Sequence, residues 1–372
     1  MATITDVAKR AGVSPVTVSR VINNASNVMP ETRARVLAAI HDLGYVPNVA
    51  ARSLRSKRMH SLALILPDIT NSFWTTVARG VEDAAQARGY AVLLCNTDEN
   101  LAKQAGYLRL VASQRVDGVI IAPCDDDPEH VAPLRERAMP TVVIDRMVTG
   151  WDVDRVRGDS LAGAYALVRH LISLGHVRIA MISGPCGTST ADERVLGYRM
   201  ALAEAGLPVD ERLIRRGEFR ISSGEQMTRA IFQEGLRPTA IFAANNALAM
   251  GAIDAAGELG LRIPQDLALV CFDDLANSSR LFPFLTVAVQ PAYEIGLKAA
   301  QLLLGRLEGR VADPPREFVL PTRMIVRYSC GVRLKEGTGP GLSLPLPVRV
   351  DEQSIPIPPV AGPAHLANPE RR

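Results

Sequence analysis

The sequence predicts an α/β protein, in which an all-α helix-turn-helix headpiece precedes two doubly wound parallel-sheet lobes. Three observations predict it. Residues 4–24 hold two short amphipathic helical patterns split by a glycine. From Ser61 onward, continuous apolar runs alternate with helical patterns, as buried parallel strands and their crossover helices do. At 372 residues the chain is also too long for one ordinary core.

The first helical pattern rests on Ile4, Val7 and Ala8. Thr5 is expected to cap it, with Asp6 in the first turn, where the helix dipole favours a carboxylate. Gly12 supplies the backbone a tight interhelical turn needs. Ser14 then Pro15 mark a second start, a hydroxyl cap followed by proline at the first helical position. This helix runs to about Ile22 with Val18, Val21 and Ile22 inward, leaving Pro15, Val16, Thr17, Ser19, Arg20 and Asn23 outside. A plain surface hairpin would look similar, but a third amphipathic segment, ETRARVLAAIHDLGYVP, follows. It sets Val36, Leu37, Ile40 and Leu43 on one side, stops at Gly44 and has Pro47 beyond. Residues 48–56 read as a possible fourth helix.

After the headpiece, strands are expected at SLALILP (61–67), YAVLLCN (90–96), VDGVIIAP (116–123) and PTVVIDR (140–146), with helices near 73–88 and 101–114. A second set opens with a helix at 160–174 and has strands at 176–184, 239–245 and 267–274, with helices near 191–205, 223–234 and 246–259. LTVAVQP (285–291), a helix at 292–308 and EFVLPTRMIVRYS (317–329) complete the pattern. Ligands of such sheets sit beyond the carboxyl ends of the strands. Polar residues stand there: Asp68, Asn71, Asn96, Asp145, Asn245 and Asp273.

Net charge is +3, yet residues 1–58 hold nine Lys/Arg against three Asp/Glu. A small basic module on a neutral body suits a polyanionic partner. No apolar run is long enough to span a membrane and no secretory signal pattern opens the chain, so a cytoplasmic protein is expected. The five cysteines are scattered, without a CxxC or Cys/His cluster. Buried free thiols are expected, with no disulfide, metal or cofactor. Residues 331–372 hold eight of the 25 prolines, and a disordered tail is expected. Nothing in it repeats in heptads, so a homodimer is expected.

DVAKRAGVS (6–14), TVSRVIN (17–23), the ETR…LGYVPN run (31–48) and ARSL (51–54) together resemble the headpiece of the lactose-repressor (LacI/GalR) family of bacterial transcription regulators. The rest of the chain supports the resemblance to about residue 330. It implies a helix-turn-helix headpiece at 1–47, a hinge helix and linker at 48–60, and a two-lobed, periplasmic-binding-protein-like effector and dimerisation domain at 61–330. The chain would cross between lobes near 160, 290 and 322, and 331–372 would remain as tail.

The resemblance also implies functional residues. Positions 15, 16 and 20 would read operator DNA. Arg20 can donate two hydrogen bonds to guanine, whereas Pro15 and Val16 could only touch thymine methyls or exclude wrong bases. Thr5, Ser14, Thr17, Ser19 and Asn23 are candidates for phosphate contacts; Thr5 and Ser14 could equally serve as caps. Leu54 would wedge into the minor groove, with Arg52 and Arg55 on phosphates, or Leu54 could pack onto the body. Between the lobes, Asn71, Phe73, Trp74, Asp145, Thr190, Arg194, Phe219, Asn245, Asp273 and Gln290 would bind a small-molecule effector. Aromatic faces with Asp, Asn and Arg side chains suit a sugar. Arg194 and Asp273 could instead form a lobe-spanning ion pair, and Phe73 or Trp74 could be core. Asn246 departs from the Asp many relatives carry.

Catalysis finds little support: GxGxxG after a strand, GxxxxGK[ST], HExxH and GxSxG are all missing. A ligand-responsive DNA-binding repressor is therefore expected. The alternatives are a periplasmic-type solute-binding protein and a sugar-processing α/β enzyme.

Overall fold

The structure, a computed structural model, describes residues 2–22, 25, 27–45, 59–275, 284–332 and the backbone of 354–356. Contacts divide it into two units, Met1–Met59 and His60–Arg372.

In the smaller unit, α1 (Ile4–Ala11), α2 (Pro15–Ile22) and α3 (Pro30–Asp42) enclose Val7, Ala8, Ala11, Val18, Val21, Val36 and Ala39. Thr3, not Thr5, caps α1. Its hydroxyl accepts from the Asp6 N–H at 3.3 Å, and the Asp6 carboxylate accepts from the Thr3 N–H at 2.9 Å. This reciprocal box satisfies two orphan donors at once, which starts the helix two residues earlier than a Thr5 cap would and leaves Thr5 exposed in its first turn. Gly12 ends α1 with φ 66°, a left-handed turn that a side chain would strain. Ser14 accepts from the Thr17 N–H at 3.2 Å and so caps α2, with Pro15 as its first residue. On α3 the inward stripe is Val36 and Ala39 with Ile40 partly buried, while Leu37 and Leu43 are exposed. Three short helices bury only a narrow stripe of each, and Leu37 lies a full step of helical rotation from Val36.

The larger unit holds two sheets. The first orders β11 (Glu317–Leu320), β5 (Asp154–Gly158), β4 (Thr141–Ile144), β3 (Gly118–Ile121), β1 (Ser61–Leu66) and β2 (Ala91–Asn96), all parallel. The second orders β13 (Ser354–Pro356), β12 (Arg323–Ile325), β10 (Thr286–Val289), β9 (Ala268–Phe272), β8 (Ala240–Ala243), β6 (Ile179–Ser183) and β7 (Ile214–Arg216). Here β12 runs antiparallel to both β10 and β13, so this sheet is not purely parallel. The described helices of the unit are α4 (Ser72–Gln86), α5 (Leu101–Gln114), the short α6 (Ala132–Glu136), α7 (Ser160–Ser173), α8 (Ser189–Glu204), α9 (Ile221–Gln233), α10 (Asn246–Glu258) and α11 (Ala292–Leu307).

The chain leaves the first sheet after β5, and α7 packs into the second core. It returns after β10, where α11 packs on α4 in the first core. It passes once more between β11 and β12. The α4–α11 crossing is seated on Gly80 and Gly296. A Cβ on either would lie 2.2 Å from the Tyr293 carbonyl oxygen or 2.0 Å from that of Val77, too close for any side chain.

Two strands outside the tail have no clear sequence signal. β5 is DRVRG, whose charges hide a strand pattern. Their partners lie far along the chain: Arg306 holds Asp154 at 2.7 Å, and Arg157 reaches Glu317 at 2.8 Å and Glu193 at 3.1 Å. The other, β7, is only three residues long. Of the five thiols, Cys186 is exposed, against expectation; it lies in a loop between β6 and α8 rather than on a strand. The tail is not featureless either, since residues 354–356 form β13.

Candidate functional site

The headpiece presents a polar, basic helix surface. Pro15, Val16 and Arg20 on α2 are exposed, Thr17 and Ser19 are partly so, and Ser14 and Thr5 stand at or near helix starts. Asn23, Arg52, Leu54 and Arg55 lie outside the described residues.

The second site is a cavity of about 420 Å³ between the two sheets, built by turns that follow their strands. Each lobe supplies the same two devices. After β1, Asn71 caps α4 by accepting from the Phe73 N–H at 3.0 Å; after β8, Asn245 caps α10 by accepting from the Leu248 N–H at 2.8 Å. After β4 comes Asp145 with φ 61°, and after β9 comes Asp273 with φ 64°. The N–H of Asp145 bonds the Val156 carbonyl on β5 at 3.0 Å, and that of Asp273 bonds the Ala288 carbonyl on β10 at 2.8 Å. A left-handed residue turns the chain sharply, and aspartate tolerates that conformation better than most. Both carboxyl groups thereby line the cavity while buried to 95 % and 93 %.

Arg194, one turn along α8 from Thr190, lines the same wall. It donates to the Ala244 carbonyl at 2.6 Å and to Ser160 Oγ at 3.3 Å, with its guanidinium 3.8 Å above the Phe272 ring. No carboxylate lies within ion-pair distance of it among the described residues, so the Arg194–Asp273 ion pair does not form. Phe73 and Trp74 meet edge to face at 4.8 Å; each belongs to the first-lobe core and each lines the cavity. Phe219 closes another side, its ring packed so tightly on Gly184 that a Cβ there would lie 2.2 Å from it.

Nine of the ten effector candidates thus share one cavity. Gln290 does not line it. Its amide nitrogen donates to both Asp273 oxygens at 3.1 and 3.2 Å, so it stands behind that carboxylate. Lining residues outside the effector candidates are Thr70, Asp98, Glu99, Arg146 and Arg220, together with Asp68, which the strand-end rule already names. Most neighbour a candidate or follow a strand end, and extending the strand-end rule from Asn96 by three residues finds Asp98 and Glu99. Arg146 is different. Simple alternation would send it away from Asp145, and only the left-handed turn brings both to the cavity.

Charge is distributed unevenly. Arg146 donates to Glu99 at 2.7 Å and to the Pro123 and Cys124 carbonyls at 2.7 and 3.1 Å. Burial opposes its charge, but Glu99 outweighs burial and holds it above the ordinary arginine range. Burial pulls Arg194 down, with Asp273 and Asp145 opposing. Burial raises Asp145 against the pull of Arg194 and Arg146, and raises Asp273 to about 6 against Arg194. Across the cavity mouth Asn71 and Asn246 exchange amide hydrogen bonds at 2.8 and 3.1 Å, and Arg220 donates to the Asp98 carbonyl at 3.1 Å. Convergent acceptors from both lobes, Arg194 and an aromatic wall can grip a ring bearing vicinal hydroxyls.

A three-helix reader on one chain with a two-lobed binding cavity defines a ligand-responsive DNA-binding protein. Residues 3–48 match the family model for bacterial regulatory proteins of the lacI family. Residues 59–323 match that for periplasmic binding proteins and the sugar-binding domain of the LacI family. The chain belongs to the LacI family of transcriptional regulators. It is 39 % identical over 332 residues to the HTH-type transcriptional repressor PurR of Proteus mirabilis (strain HI4320), covering 88 % of this chain and 97 % of that one. It is 37 % identical over 330 residues to the HTH-type transcriptional regulator DegA of Bacillus subtilis (strain 168), with the same coverage. Among solved structures it resembles the Lac repressor dimer bound to operator and the anti-inducer ONPF, with TM-score 0.78, 29 % identity and coverage of 88 % of this chain and 99 % of that one. It also resembles the CelR–cellobiose complex, with TM-score 0.68, 33 % identity and coverage of 88 % and 100 %.

Proposed function

We propose that the protein is a homodimeric transcriptional repressor whose affinity for a pseudopalindromic operator is set by a small polyhydroxylated effector, a sugar or sugar derivative, bound between the lobes. The observation that carries this reading is the pairing of Asp145 and Asp273 around Arg194 on a chain that also bears a helix-turn-helix. Arg20 reads a guanine, worth about 1–3 kcal/mol of discrimination. Pro15 and Val16 supply apolar contact or exclusion. Thr5, Ser14, Thr17, Ser19 and Asn23 hold phosphates, joined by Arg52 and Arg55, and Leu54 wedges the operator centre. Phe73, Trp74 and Phe219 face the apolar side of the effector ring, while Asn71, Thr190, Asn245, Asp145, Asp273 and Arg194 take its hydroxyls. Gln290 fixes Asp273. Such a protein works on the chromosome, hence in the cytoplasm, as a binding protein rather than a catalyst, and no described helix is long and apolar enough to cross a membrane.

The test is fluorescence anisotropy of the purified protein on labelled genomic fragments between about 50 and 200 mM salt, where six to ten phosphate contacts would cost about 10³–10⁵ in affinity. Sequence-selective binding that weakens steeply with salt is expected. Binding that is equal on all fragments overturns the reading.

A further inference from the structure

Gln290 spans two of the places where the chain passes between the lobes. It follows β10, at the second crossing, while Gly158 ends β5, at the first. The Gln290 side chain fills the space that a side chain at 158 would need. A Cβ there would lie 2.1 Å from Oε1, 2.9 Å from Cδ and 3.1 Å from Cγ of Gln290. Gly158 is not among the glycines with positive φ, so it is this space, and not the backbone conformation, that calls for glycine.

The amide has one workable orientation. Its Nε2 donates to both oxygens of Asp273, at 3.1 and 3.2 Å, and a flipped amide would set a further acceptor against that carboxylate. Oε1 is thereby turned to Gly158 and is buried with no donor among the described residues. A buried acceptor without a donor is disfavoured. The side chain is therefore kept in place by its grip on Asp273 and its fit at Gly158, not by a bond to its own oxygen. One end rests on a strand of the first lobe, and the other holds a cavity carboxylate of the second.

We propose that Gly158 and Gln290 form a strut across the lobe crossings, through which the hinge end of β5 positions Asp273 for the effector. The carboxylate is held for binding only while the two crossings are packed together, so turning of the lobes and preparation of the binding group are one event. Gln290 is a positioning residue that acts through Asp273. The strut rests on the reading of the cavity as an effector site, but its test needs no effector, so the two can fail separately. The charged and titratable groups facing Asp273 are Arg194 on α8, Asp145 after β4 and Cys271 on β9. Gly158→Ala changes none of them.

The test is titration of the Asp273 carboxyl by NMR of the full-length protein with isotope-labelled aspartate, Asp273→Asn identifying the signal. The parent should titrate at about 6. Gln290→Ala removes two donors to the ionised form and should raise the proton affinity of Asp273 about threefold or more. Gly158→Ala should do the same from a distance, because its methyl group pushes the amide off the carboxylate. Added to Gln290→Ala, it should cause no further change, since the space is then vacant, and the double variant should unfold at the same urea concentration as Gln290→Ala alone. An Asp273 titration unmoved by Gly158→Ala, or two shifts that simply add, overturns the proposal. Should Gly158→Ala alone fail to fold, the double variant decides: folding like Gln290→Ala supports the strut, and failing to fold overturns it.

Discussion

Asp145 and Asp273 occupy the same place in the two lobes, one residue past a central strand, in the same left-handed conformation, with their N–H groups on the neighbouring strand. Their support differs. Asp273 receives two hydrogen bonds from Gln290, whereas Oδ1 of Asp145 is buried without any donor. The same fold device thus makes one carboxylate that is braced before any ligand arrives and one that is left unsatisfied. The unsatisfied oxygen belongs to the lobe whose nearby arginine, Arg146, is already committed to Glu99. The difference teaches that the two halves of the cavity are not interchangeable. The second lobe holds a prepared acceptor, and the first holds an acceptor that gains most from a new donor.

The largest test removes the cation both aspartates face. Arg194→Met should destabilise the protein by about 3–5 kcal/mol at pH 7.5, the cost of stranding buried charge, measured by urea unfolding. The loss should shrink at pH 5, where Asp273 is protonated; a loss that is equal at both pH values breaks the charge account. Next comes pH itself. Burial raises Asp273 from the usual carboxylate range to about 6. The folded state therefore binds a proton more readily than the unfolded chain. Its contribution to stability is fully present below about pH 4 and is lost as pH rises through about 6, a change of up to about 3 kcal/mol. Asp145 acts in the same direction. Asp273→Asn should flatten this slope.

The comparison sharpens further with the paired amides. Asp273→Asn should cost about 1–2 kcal/mol at neutral pH relative to Asp145→Asn, because Gln290 donates to both oxygens of Asp273, at 3.1 and 3.2 Å, and an asparagine there sets an amide N–H against the Gln290 amide. Equal effects in thermal unfolding would erase the distinction between the lobes. The smallest effect is expected at the neutral clasp. Asn246→Asp replaces a donor to Asn71 by an acceptor, and should cost about 1 kcal/mol, falling as pH drops and the new carboxyl regains a proton.

Much of this architecture is legible along the chain. Apolar runs with helical patterns between them place most strands to within a few residues, since a strand buried on both faces needs no alternation. Polar residues at strand ends lead to Asn71, Asp145, Asn245 and Asp273. β5 is not legible, because its charges are neutralised by Arg306, Glu193 and Glu317 from remote segments. Arg146 is hidden by the backbone turn at Asp145, whereas the Thr3 cap is legible, since Thr3 and Asp6 stand at capping-box spacing.

The sequence by itself determined the helix-turn-helix, the α/β lobes and the side chains available for binding, because local propensity and periodicity set each of these. Only the tertiary structure decided that Asp145 and Asp273 are equivalent in place but unequal in support, that Gln290 braces one and not the cavity, and that a proline-studded tail segment joins β12. Each of those rests on a contact between residues far apart in sequence, and no local pattern records which distant group will arrive.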